Sequence, residues 1–438
     1  MSRADNLKSA ERVSLKYGRE SLNINLDNSA GSEKIEWKDI SPPESSPVKD
    51  VDGEIREKLR NPAGTQALNE MTEPGDKIVI VVSDFTRLVY RTSYFLPFIV
   101  EELNRGGASD GDIEILIASG MHRPASEEEK REIVGEEIYS RIAVENHDCK
   151  AGDLVHLGES SRGTMIKVNR KAFEADLLIL TGGINYHIIA GFGGGRKSIA
   201  PGISGYNTIQ QNHSLALQNK DRVFPGKLDE NPVALDMKDI AEKLAPDFIF
   251  NTVVDGSKNF LGFYAGELNE AFRRGTEKAV DSFGISLKSP FDLVLCSTGG
   301  HPKDGQLYQS VKALFNAGLA CRKGGHIVLV SSCSEGIGPP EFKEWFDAGG
   351  PDEIEDKLRK NFTMTGYVAL RTSQINSQNS VHLISELDPE DVQGMGMKPV
   401  QEPENIIDRI LADGKKRDDA DIKKACVMPQ AAMTFPVR

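Results

Sequence analysis

The chain reads as an α/β protein of two domains with mainly parallel sheets and an active site in the cleft between them. Three observations predict this. The 438 residues exceed one ordinary domain. Short apolar runs alternate with helix-like segments, the rhythm of β-α units. Polar and basic residues gather where those runs end, which is the edge at which open α/β sheets bind ligands.

The strands come first. Residues 77–82 (KIVIVV), 112–118 (DIEILIA), 176–180 (DLLIL), 292–296 (DLVLC) and 325–330 (GHIVLV) are continuous apolar runs bounded by turn residues, as strands buried on both faces require. The text after each run is SDFTR, SGMHRP, TGGINYH, STGGHPKD and SSCSEGIG. A helix-like stretch over Leu268–Phe283 gives way near residues 286–290 to SLKSP, which marks a boundary. The expected division is residues 1–285 plus about 405–438 as an N-terminal cofactor-binding domain, and 286–404 as a C-terminal domain contributing substrate contacts. The apolar stretch 425–433 reads as a terminal strand and helix remnant that returns to the first domain.

Composition narrows the function. A net charge of −13 argues against nucleic acid or an anionic membrane as the main partner, so any anion needs a local basic pocket. The first twenty residues lack the apolar core of a signal peptide, and no window approaches the roughly 18 apolar residues of a membrane span. The five cysteines contain no CxxC pair. A cytoplasmic protein with reduced thiols is the expectation.

Residues 181–213, TGGINYHIIAGFGGGRKSIAPGISGYNTIQQNH, are the most informative segment. Gly191, Gly193, Gly194 and Gly195 precede Arg196 and Lys197, and a backbone without Cβ atoms can approach an anion and aim N–H groups at it. The spacing matches neither a P-loop nor a dinucleotide fingerprint. Only eight histidines occur in the chain, and His122, His187 and His213 fall in or just beyond these loops. Each alone fits a structural role equally well; three together with a Lys-Arg pair point to chemistry. Asp84 can orient an imidazole, and Arg87 can clamp a carboxylate with two hydrogen bonds. Tyr308 and Lys312 are spaced i, i+4 on one helix face, with Gln309 beside them.

These motifs, SDxTR, GxH, a histidine ten residues before the lysine of GGGRK, the following PG and NH, and a later PxD and LYQxxK, resemble the nickel-dependent lactate racemase family. The resemblance spans roughly residues 80–315 in order. It implies a racemase or epimerase of a 2-hydroxy acid working by reversible hydride transfer, with a small-molecule substrate and cofactor-biosynthesis enzymes as partners. The implied cofactor is a nickel-pincer nucleotide, pyridinium-3-thioamide-5-thiocarboxylic acid mononucleotide with Ni(II), covalently attached at Lys197. His213 resembles the nickel ligand, which suits a square-planar Ni(II) preference. His122 and His187 resemble the paired acid/base residues, each serving one enantiomer. Arg87 and Lys312 resemble carboxylate anchors with Gln309 and Tyr308 nearby. Asp84, Thr86, Gly193, Gly194, Gly195 and Arg196 are the implied cofactor neighbours.

The chain departs from the family pattern at the substrate end. Its tryptophans are at 37 and 345, neither in the family's context, and Tyr367 is the nearest candidate for that position. His301 stands where the family often has tyrosine, and it could meet a second polar group of a malate-like or sugar-acid-like substrate. Two other readings fit the raw residues: a zinc-dependent hydrolase with His122, His187 and His213 as ligands, or a non-catalytic nickel or nucleotide carrier.

Overall fold

The apolar run at residues 77–82 becomes the central strand of a six-stranded sheet because neither of its faces can meet water. In the computed structural model, which describes residues 11–26, 35–43, 45–417 and 422–437, this strand is Ile78–Ser83 and its first five residues are buried. The chain divides into two units, Glu44–Ser282 and the combination of Met1–Pro43 with Phe283–Arg438.

In the Glu44–Ser282 unit the strand order is Phe260–Gly266, Phe248–Val254, Leu177–Gly183, Ile78–Ser83, Ile113–Ala118, Ala143–Asn146. All neighbours are parallel except the first pair, which is antiparallel. The Thr92–Arg105 helix covers one face through Phe95, Leu96, Ile99, Val100 and Leu103, all 0% exposed. Their spacing is that of one helical stripe, and burying five such side chains stabilises by about 1.5–3 kcal/mol each. The Leu268–Phe283 helix follows the same rule with Ala271, Phe272, Ala279 and Phe283 buried. Three of the five expected strands lie in this sheet, and parallel pairing places their C-terminal ends, Ser83, Ala118 and Gly183, along one edge.

The other unit holds a second six-stranded sheet, all parallel, in the order Lys398–Pro399, Ser380–Ile384, Cys321–Val330, Phe291–Ser297, Lys424–Met428, Glu36–Asp39. Here the expected division is corrected at both chain ends. The Lys424–Met428 strand does not return to the first unit; Leu293 to Cys296 pair with Ala425 to Met428, and its other edge takes Glu36–Asp39. Four consecutive buried residues, Ala425 to Met428, need neighbours on both edges and both faces, and only this sheet supplies them. A hairpin of Arg12–Tyr17 and Glu20–Asn25 lies in the same unit. Among the described residues no helix is long and apolar enough to cross a membrane.

Candidate active site

Three strand ends of the Glu44–Ser282 unit, those of Ile78–Ser83, Ile113–Ala118 and Leu177–Gly183, each lead to one expected residue. Asp84 follows Ser83 directly and caps a short 3-10 helix, Phe85–Tyr90, where its Oδ1 accepts from the Thr86 backbone N–H at 3.2 Å and hydroxyl at 2.7 Å. Its Oδ2 lies 2.5 Å from His122 Nδ1, brought there by the loop after the neighbouring strand. Asp84 is 4% exposed while the His122 side chain is 53% exposed, so a buried carboxylate presents an accessible imidazole. Burial on its own would raise the Asp84 carboxyl, but the hydrogen bonds from His122 and Thr86 outweigh it and hold the group below its ordinary value. Arg87 adds a favourable charge to the same carboxylate.

His187 sits in a tight ribbon, where Tyr186 pairs with Phe192 and His187 with Gly191. Its Nδ1 accepts from the Ala190 N–H at 3.2 Å and the Ile189 N–H at 3.4 Å. The glycine loop follows at once. Gly194 and Gly195 have φ of +75° and +48°, and an added Cβ would lie 2.6 Å from Asn251 Oδ1 and 2.6 Å from the Phe272 ring respectively. The glycines therefore serve close packing. Backbone N–H groups of Gly193, Gly195 and Lys197 are donated to Asn185 O, Asn251 Oδ1 and Gly194 O, which corrects the expectation that these amides are aimed at an anion.

The cation of this loop nearest to burial is the side chain of Arg196. Its guanidinium lies 4.8 Å over the Phe272 ring and reaches the Ala234 carbonyl at 3.4 Å, while the Glu242 and Asp229 carboxylates act on it through charge without a direct ion pair. Burial pushes it down to about 10. Glu242 and Asp229 offset only part of that burial, and a guanidinium without a direct partner can take a phosphate on its planar fork.

His213 lies near the end of the Tyr206–Ser214 helix and is 6% exposed. Burial, reinforced by the Lys197 ammonium, pushes its pKa down to about 3, so the ring is neutral as a metal ligand must be. Its position is fixed from behind. Asn212 Nδ2 donates to Asp236 Oδ2 at 2.8 Å and to Val233 O at 3.2 Å, and Asp236, 0% exposed, also accepts from Thr164 at 2.9 Å and from Ser160. Asp236 and Asn251 were missed by sequence reasoning. The signal was there: an aspartate on the apolar face of PVALDMKDI and one polar residue inside FIFNTVV.

His122, His187 and His213 do not form a common metal cluster; among the described residues no group of three or more His, Cys, Asp or Glu is placed to hold an ion. The zinc-hydrolase alternative loses its ligand set. A cleft of 530 Å³ on the helices is also set aside, because its charges are mutually paired, Arg56 with Glu101 and Arg141 with Glu137.

The other unit carries its candidates on two helices and on the loop after the Phe291–Ser297 strand. Tyr308, Gln309 and Lys312 lie on the Leu307–Ala320 helix, with Lys312 Nζ donating to Gln309 Oε1 at 2.5 Å. Tyr308 is half-buried, its ring edge-on to Phe342 at 5.2 Å. His301 is exposed, with Nε2 3.5 Å from Arg19 Nη2 on the hairpin turn, and its backbone N–H donates to Gly18 O at 2.8 Å. Asp304, 0% exposed, ties that turn down by accepting from Gly18 N–H at 2.6 Å and Ser332 N–H at 3.3 Å. Tyr367 is 2% exposed and packs beside Phe362, so it presents almost no surface to a ligand as folded.

Sequence comparison accounts for this arrangement. Models of the lactate racemase N-terminal domain and of the lactate racemase C-terminal domain match residues 17–224 and 287–432. The lactate racemase of Lactiplantibacillus plantarum is 32% identical over 365 residues, 82% of this chain and 85% of that protein. The chain belongs to the lactate racemase family. It is therefore an isomerase by membership. The lactate racemase of Thermoanaerobacterium thermosaccharolyticum is 34% identical over 306 residues, 69% of this chain and 71% of that protein. The solved lactate racemase apoprotein from Thermoanaerobacterium thermosaccharolyticum matches with a TM-score of 0.84 at 29% identity, covering 98% of this chain and all of that one. A Thermotoga maritima protein, at TM-score 0.62, 19% identity and 90% of this chain, shares the fold.

Proposed function

We propose that this protein interconverts the enantiomers of a short 2-hydroxy acid, using a nickel-pincer nucleotide attached at Lys197. The observation that carries the reading is the cluster of Lys197, the buried neutral His213 and the largely desolvated Arg196 on one loop and the helix after it. His213 would ligate the nickel and Arg196 would face the nucleotide phosphate, with Asp84, Thr86 and the glycine loop as neighbours. When bound, the group supplies a reversible hydride acceptor for C2.

The protein's part is position and proton handling. Asp84 keeps a proton on His122 Nδ1, which leaves the Nε2 lone pair to take the hydroxyl proton of the substrate. His187 serves the substrate oxygen in its other orientation. Arg87 clamps the substrate carboxylate with two hydrogen bonds, and Lys312, Tyr308 and Gln309 are the further substrate contacts that the family resemblance implies. Lactate is the first candidate, as the substrate named for both relatives. The Arg19–His301 pair favours a second reading of the substrate, an acid with a further anionic or hydroxyl group such as a malate-like or sugar-acid-like one.

The test is production together with cofactor-building enzymes, followed by intact mass and nickel analysis. A nucleotide-sized adduct with matching nickel, absent from Lys197→Ala, is expected. A wild-type protein with neither, made beside a lactate racemase that loads normally, contradicts the reading. Turnover across a panel of acids for wild type and His301→Tyr decides the substrate question, since matching profiles remove His301 from it.

A further inference from the structure

The two histidines expected to share one role are held by opposite partners. His122 Nδ1 lies 2.5 Å from Asp84 Oδ2, and a carboxylate only accepts, so Nδ1 carries the proton. His187 Nδ1 lies 3.2 Å from the Ala190 amide and 3.4 Å from the Ile189 amide, and an amide N–H only donates, so Nδ1 accepts. A neutral imidazole has one proton. It sits on Nδ1 in His122 and on Nε2 in His187.

The ribbon enforces this for His187. The pairing of His187 with Gly191 turns the chain so that the Ile189 and Ala190 amides reach Nδ1, and Gly191, at φ +74°, approaches so closely that a Cβ there would meet Lys227 O at 2.2 Å. Asp84 is equally fixed, because its Oδ1 is taken by the Thr86 N–H and hydroxyl, which leaves Oδ2 to the imidazole.

We propose that the resting protein holds the pair in opposite tautomers, so that His122 offers Nε2 as a proton acceptor while His187 offers Nε2–H as a donor to the substrate oxygen. This assignment stands on the hydrogen bonds alone; only its kinetic consequence rests on the function proposed above. A neutral imidazole can polarise a carbonyl as a donor without giving up its proton. For His187 to take a proton at Nε2, that nitrogen must first give up its own proton, Nδ1 must gain one in exchange, and the ring must leave the two amides. The resting protein is therefore set for the enantiomer whose hydroxyl faces His122. The enantiomers are equal in free energy, so kcat/KM is the same in both directions, and the asymmetry appears as kcat and KM differing between enantiomers by one common factor.

The experiment is ring-nitrogen NMR of apoprotein labelled with 15N-histidine, with the two rings assigned from His122→Asn and His187→Asn. The expected result is a protonated Nδ1 in His122 and a protonated Nε2 in His187 near neutral pH. Should a variant fail to fold, backbone-to-ring correlations on the wild type give the same assignment. The same tautomer in both rings, or a protonated Nδ1 in His187, overturns the proposal. Loss of the racemase reading would appear separately, as a loaded protein without racemisation while the tautomers remain as assigned.

Discussion

Replacing Asp84 by Asn changes one atom and has a predictable direction. In the wild type both Thr86 donors go to Oδ1, at 3.2 and 2.7 Å, and Oδ2 alone faces His122. An amide in this place keeps its oxygen on Thr86, because two donors hold it there, and turns its NH₂ toward His122 Nδ1. That nitrogen must then accept, and the His122 proton moves to Nε2, where the lone pair was. The lost charge-assisted bond alone is worth about 1.5–3 kcal/mol, or roughly 10- to 150-fold in rate. With the wrong tautomer added, kcat falls by about 10²-fold or more, as removing the orienting carboxylate does in other histidine bases. KM stays within about threefold because Asp84 is buried and holds no substrate group. The swap is isosteric, so stability changes by about 1 kcal/mol or less. Steady-state racemisation by loaded Asp84→Asn, with a denaturation curve alongside, is the assay. A kcat within threefold of wild type in a folded, nickel-loaded variant refutes the reasoning.

Other perturbations separate structure from chemistry. Gly194→Ala meets Asn251 Oδ1 at 2.6 Å with φ at +75°, and denaturant unfolding should show a loss of about 2–4 kcal/mol. Arg196→Met removes a buried cation, so the apoprotein should be as stable as wild type or more so, while nickel and adduct are lost; unchanged loading contradicts the phosphate role. Asp236→Ala leaves Ser160 and Thr164 without their acceptor and Asn212 with only the Val233 carbonyl, and should cost about 3–5 kcal/mol and the retention of nickel, measured by unfolding and metal analysis. The apoprotein should lose stability as pH falls from 7 to 5. His213 and His382 are pushed down to about 3 and His147 below its ordinary value, all chiefly by burial, so the unfolded chain takes protons that the folded one refuses. Their contribution is complete above about pH 6.5, fades at up to about 1.4 kcal/mol per pH unit for each group, and His213→Gln should make the fall shallower. Asp84, held low, adds its loss only below about pH 4.

Much of this was legible in sequence because it is local. All five apolar runs became strands, and the Leu268–Phe283 helix has the bounds its periodicity indicates. Strand-end text brought out Asp84 and His122, which the structure places side by side because parallel pairing puts neighbouring strand ends on one edge. Pairing between chain ends was not legible, since nothing within ACVM says that its partners are Phe291–Ser297 and Glu36–Asp39. The glycine loop misled in a physical way. Absence of Cβ signals close approach, but the approach is to Asn251 and Phe272 rather than to an anion. Tyr367 misled similarly, because an aromatic beside a helix start fits a core as well as a binding surface.

The most direct test of the central claim is a chiral assay of enantiopure lactate, with malate in parallel, on protein shown to carry nickel and the adduct. Drift toward equal amounts of both enantiomers of at least one acid is expected, abolished by Lys197→Ala and His213→Ala. Full loading with enantiomeric purity preserved across a broad panel of 2-hydroxy acids would contradict it.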